Sequence, residues 1–146
     1  MPDLLRSTTR RLERDHAMKL TDTEIAQALE DAADLFEAEG WVRFNLHIPP
    51  APHGWQRYSE PQPGEDDSGY CAVGALCKVL PHDEQVYDVL HSLMNSEFLP
   101  PAAGRLGEQS DWTQVVHWNN HRVKDKAEIV DAFRHVAKDL RNNCQP

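Results

Sequence analysis

The segment T-D-T-E-I-A-Q-A-L-E-D-A-A-D-L-F-E-A-E-G at residues 21–40 constrains the fold more than any other. Thr21 and Glu24 have capping-box spacing, in which each side chain satisfies the other residue's backbone N–H at a helix start. Ile25, Ala28, Leu29, Ala32, Leu35 and Phe36 then recur on one helical face. Gly40 stands where a left-handed C-terminal cap is wanted. Asp22, Glu30, Asp31, Asp34, Glu37 and Glu39 fill the opposite face. Such a helix is marginal alone, so other elements must cover its apolar stripe.

Three more segments carry helical spacing. In S-G-Y-C-A-V-G-A-L-C-K-V-L at 68–80, Ser68 can cap and Tyr70, Val73, Leu76, Cys77 and Leu80 line one side. Gly74 falls mid-helix, where it costs roughly 1 kcal/mol against alanine, so a close backbone neighbour is expected. Pro81 ends that element, and Asp83 to Met94 follows with Val86, Val89, Leu90 and Leu93 inward. Asp125 and Glu128 repeat the capping-box spacing, and Ile129, Phe133, Val136 and Leu140 space out a last helix to about Arg141. Ser110 can cap a shorter helix through Val116, with H-W-N-N-H-R at 117–122 read as a polar bend.

Residues 41–48 change period. Val42, Phe44, Leu46 and Ile48 alternate with Trp41, Arg43, Asn45 and His47, as in a half-buried strand. One strand cannot stand alone, so a partner near 55–60 is expected. The Pro- and Gly-rich stretch 49–69 reads as a long loop, with Trp55 and Tyr58 packing part of it down. The expectation is a mainly α, compact bundle of four to five helices with at most a small two-stranded β element (around 41–48 and 55–60) and a long Pro-rich loop. One domain at 21–141 follows a basic leader at 1–20, partly ordered or helical, and precedes a frayed tail at 142–146.

The formal charge of −9 is unevenly spread. Residues 1–20 hold five basic groups, Arg10 and Arg11 among them, against three acidic ones, whereas 21–39 hold seven acidic and no basic groups. An acidic body argues against duplex nucleic acid, the leader excepted. No apolar run reaches the roughly 18 residues of a membrane span, and the N-terminus has no apolar signal region, so a cytoplasmic chain is expected. Three cysteines in no framework spacing point to free thiols.

Cys71 is the residue with most chemical promise. A thiol in a first helical turn feels the positive end of the helix dipole, which favours thiolate, and papain-like hydrolases use that placement. His117 or His121 could serve as base and Asn119 or Asn120 as orienter. The set Cys71, His117 and Asn119 is thus one reading, a cysteine-dependent hydrolase or transferase; the other is a small buried thiol packing like alanine. Cys77 lies about 240° around the helix from Cys71, so the two cannot share a metal from that helix. No metal, cofactor or phosphate-loop spacing is present, and no cofactor is expected.

Three segments together resemble a family of actinobacterial and actinophage proteins, the one filed as domain of unknown function 6197. They are A-A-D-L-F-E-A-E-G-W at 32–41, Y-C-A-V-G-A-L at 70–76 and V-V-H-W-N-N at 115–120, in matching order over roughly 21–141. The family's third motif usually ends W-N-D, from which Asn120 departs. The resemblance implies a small intracellular α-rich domain common on phage genomes, and it supplies no activity. It singles out Cys71, Gly74, Trp118 and Asn119. With chemistry-bearing spacings absent, the leading expectation is a non-catalytic interaction protein that binds a protein partner. Its candidate contact residues are Asp31, Asp34 and Glu37 on the acidic helix, Arg10 and Arg11 in the leader, and Trp55 and Tyr58 in the loop. A virion structural or decoration component is a further alternative.

Overall fold

The computed structural model describes residues 19–43, 46–48, 61–97 and 111–143. Within them the element order is α1 (Asp22–Glu39), β1 (His47–Ile48), β2 (Gly69–Tyr70), α2 (Ala72–Val79), α3 (Asp83–Met94), α4 (Asp111–His121) and α5 (Lys126–Asn143). The protein is mainly α, five helices and a two-stranded antiparallel sheet among the described residues.

α1 is built as its sequence demands. The Glu24 N–H donates to Thr21 Oγ1 at 3.2 Å and the Thr21 N–H to Glu24 Oε1 at 3.0 Å, closing the capping box. At the other end Gly40, with φ 103°, returns its N–H to Phe36 O at 2.7 Å. Ile25, Ala28, Leu29, Ala32 and Phe36 are buried, and α5 covers them along most of the helix with Ile129, Phe133, Val136 and Ala137. Phe36 and Phe133 meet edge-to-face at 5.4 Å. Outside this seam Arg134 bonds Asp34 and Glu37 while Arg141 bonds Glu30 and Gln27, so α5 runs antiparallel to α1. Val86, Val89, Leu90 and Leu93 of α3, with Val115 and Trp118 of α4, complete the core.

The structure departs from expectation in three places, each for a physical reason. First, β1 pairs with Gly69–Tyr70 (His47 opposite Tyr70, Ile48 opposite Gly69), while the segment at 55–60 expected as its partner lies outside the described residues. Residues 40–43 are buried on both faces instead of alternating, with Trp41 forming a parallel bridge to Tyr70. Second, α2 begins after Cys71, not after Ser68, because Gly69 and Tyr70 are held in the sheet. Third, 117–121 is no bend but the last turn and more of α4. Val115, Trp118 and Asn119 share the inward face, and the helix closes only where the Arg122 and Val123 N–H groups reach Trp118 O. α5 likewise runs two residues past the expected end. The 1–18 part of the leader, Arg10 and Arg11 included, lies outside the described residues, as do Trp55 and Tyr58.

Two close backbone approaches explain glycines. A Cβ on Gly69 would lie 2.2 Å from Gly40 O, so the α1 exit and the α2 entry touch main chain to main chain. A Cβ on Gly74 would lie 1.9 Å from Leu46 O, which is the close neighbour that a mid-helix glycine calls for. Alanine normally gains about 1 kcal/mol over glycine inside a helix. Here that sign should reverse: Gly74→Ala is expected to destabilise by about 1–3 kcal/mol through overpacking against a backbone carbonyl, read as a lower urea midpoint.

Candidate functional site

Cys71 is the N-cap of α2. Its Sγ accepts the Gly74 N–H at 3.3 Å, doing the task that serine or aspartate does elsewhere. The residue is 6% exposed. Burial pushes its thiol pKa up, and the Gly74 and Val73 amides pull it back only in part. A helix N-terminus can activate a thiol, but at this site desolvation is the larger effect. Cys77, half-buried further along α2, is also raised, by burial and by the nearby Asp83 carboxylate.

Asn119 sits at the centre of the fold with 1% exposure. Its Oδ1 accepts the Trp41 indole N–H at 2.7 Å and the Ala72 N–H at 2.9 Å. Its Nδ2 donates to Val42 O at 3.2 Å and to Asn120 Oδ1 at 2.9 Å. Two donors and two acceptor sites are the full capacity of a primary amide. Asn119 is therefore occupied in joining α4, the 41–42 segment and the first turn of α2. His117 lies two residues earlier on α4, about 200° around the helix, and its ring meets that of His121 at 4.7 Å, tilted by 43°. Asn119 thus lies beside Cys71 in space, bonding the next amide, but its own bonds are taken by the Trp41 indole, Asn120 and backbone. Among the described residues the Cys71 sulfur bonds a backbone amide, and Asn119 orients an indole instead of an imidazole. Asn120 accepts a bond from Asn119 through its side-chain oxygen.

Next to this junction lies a buried cation that sequence reasoning missed. Arg43, 8% exposed, stacks on the Trp41 ring at 4.6 Å. Its guanidinium donates to Pro63 O at 3.1 Å, Val123 O at 2.9 Å and Lys124 O at 3.3 Å, with the Glu65 carboxylate 4.0 Å away. Glu65 Oε1 also accepts the Arg43 N–H at 2.7 Å, and Asp66 Oδ2 accepts the Trp41 N–H at 2.8 Å. So the 63–66 turn and the α4–α5 connection are both tied to 41–43. The only sequence hint was an arginine and two carboxylates flanking a Pro-rich stretch.

The remaining candidates are superficial. Asp34 and Glu37 are 71% and 53% exposed in their side chains, yet both bond Arg134, whose pKa they raise. Asp31 is exposed and accepts from Gln27 Nε2 at 2.9 Å. A cleft of about 450 Å³ lies between the C-terminal ends of α3 and α5, lined by Ser92, Asn95, Ser96, Glu97, Asp139 and Asn143 together with apolar Val136 and Leu140. At its rim His135 Nε2 meets Glu97 at 3.0 Å and Asp139 at 3.2 Å. No group of three or more metal-ligating side chains converges to hold an ion among the described residues. No helix among them is long and apolar enough to cross a membrane.

Residues 20–139 match the family of unknown function DUF6197. The chain belongs to that family. No curated protein and no solved structure matches it. The three segments that carry the family resemblance are the ones that meet at Asn119: Trp41 closes the first, Cys71 and Ala72 lie in the second, and Trp118 and Asn119 in the third.

Each buried polar group left without its partner costs about 1–3 kcal/mol. Asn119→Ala orphans the Trp41 indole and the Ala72 amide together, so a loss of about 3 kcal/mol or more is expected in denaturant unfolding. An unchanged midpoint would show that the junction is dispensable.

Proposed function

We propose that this DUF6197 protein is a non-catalytic interaction protein that binds a protein partner, with a basic surface of that partner lying across α1. The observation that carries the reading is the saturation of Asn119. Asn119 spends its hydrogen bonds on the Trp41 indole, Asn120 and backbone, and the Cys71 sulfur is engaged by the Gly74 amide. What remains for recognition is surface. On α1, Asp34 and Glu37 share the single charge of Arg134, and Asp31 faces solvent beside them, so the face keeps an acidic excess. Exposed carboxylates of this kind steer and orient a partner more than they add affinity.

The alternative of a Cys71 nucleophile is disfavoured by a thiol that is buried and pushed toward its neutral form. The thiolate is the reactive species, so alkylation separates the two readings. In the folded protein Cys77 should react with iodoacetamide before Cys71. Cys71 should stay inert through neutral pH and react fully only after denaturation. Rapid modification of native Cys71 at neutral pH would overturn the non-catalytic reading.

For the partner, the tagged full chain is recovered from the cells that encode it, beside the Asp31→Lys variant, and affinity is compared at low and high salt. The expected result is one protein held by the wild type and weakened by about tenfold in the variant, the scale of one charge contact reversed in a partly desolvated interface. A complex indifferent to both the substitution and the salt would rule out α1 as the contact surface.

A further inference from the structure

The chain enters α1 across the middle of α3. The Leu20 N–H donates to Asp88 Oδ2 at 2.9 Å, and the Leu20 side chain packs on the core. One residue before Asp88, Tyr87 is 45% exposed, one of two large apolar side chains left open among the described residues. Its ring meets that of Trp112, near the start of α4, at 5.8 Å. Glu84 lies one turn earlier on the same side of α3 as Tyr87 and Asp88, and Asp83 adjoins it. Both carboxylates are exposed, and neither forms an ion pair among the described residues. The outer face of α3 and α4 is thus an aromatic pair rimmed by negative charge. It differs from α1, whose Glu30, Asp34 and Glu37 already bond arginines of α5.

The segment that leads into this root has the matching chemistry. Residues 4–12, L-L-R-S-T-T-R-R-L, hold three arginines, three leucines and no acidic residue. Guanidinium groups pair with carboxylates and stack on aromatic faces, and leucine methyls suit the same rings. We propose that residues 4–12 dock in cis on the Tyr87–Trp112 face, with Arg6, Arg10 and Arg11 set against the rings and the Asp83 and Glu84 carboxylates. The leader is then the chain's own cover for that surface, and the short path from Leu20 keeps its effective concentration high.

Trypsin reads this directly, because Arg6, Arg10 and Arg11 are cleavage sites and proteolysis follows the undocked population when docking is fast. The full chain is digested and cleavage after Arg10 and Arg11 is timed by mass spectrometry, beside a free peptide of residues 1–18. The proposal expects cleavage at least about tenfold slower in the full chain, as for a segment docked roughly nine-tenths of the time or more. Protection should fall at high salt. The double variant Glu84→Lys, Tyr87→Ser should cleave at close to the peptide's rate, while its circular dichroism and melting match the wild type. Because Tyr87 and Glu84 are exposed, the variant should fold; Glu84→Gln alone, with an intermediate rate, is the milder check. Equal rates for chain and peptide would overturn the proposal, as would protection that survives the substitutions. Protection that rises with protein concentration would also overturn it, since the segment would then dock on a second copy.

Discussion

One side-chain amide holds the architecture together. Asn119 reaches from α4 to the indole of Trp41, the carbonyl of Val42 and the first amide of α2, segments separated by up to 78 positions along the chain. Satisfying a buried amide on all four sites demands a fixed mutual orientation of three elements, and an apolar side chain of the same size could not impose it. The nearby Arg43 repeats the principle with a full charge. Its guanidinium is withdrawn from water, which is costly, and is compensated by three carbonyls, a carboxylate and an aromatic face. The helices supply the apolar burial, and these two groups set the register between them.

The helices were legible because their information is local. Capping at Thr21, the alternation of burial along α3 and the start signal at Asp125 all depend on neighbours within four residues. The site was not, because its information is between segments. Trp41 and Arg43 read as the outer face of a half-buried strand, yet each is drawn inward by a partner some 80 positions away. The H-W-N-N-H run looked like a turn because two asparagines favour bends. Trp118 and Asn119 instead face the core, and tertiary bonds outweigh that local preference. Gly74 is the intermediate case: its mid-helix position announced a close neighbour without naming Leu46.

The same geometry recasts the cysteine in the second family segment. At the mouth of a helix a thiol can be an activated nucleophile or a cap, and position alone does not separate the two. Depth does. Once the sulfur is buried in the core, desolvation outweighs the helix field, and a weak acceptor suffices to hold one amide. Sequence resemblance marks such a residue whether it reacts or only packs, so the motif alone is silent on chemistry.

The antiparallel seam of α1 and α5 has a consequence for how the molecule comes into being. Among the described elements α1 finds its main cover only in α5, so its Leu29 and Phe36 stripe stays open while the intervening hundred or so positions are translated. Its dense carboxylates would keep that waiting stretch dispersed, by like-charge repulsion, until Arg134 and Arg141 arrive to neutralise them. The acidity of α1 would then act first as a guard against premature association and only afterwards as one half of a clasp.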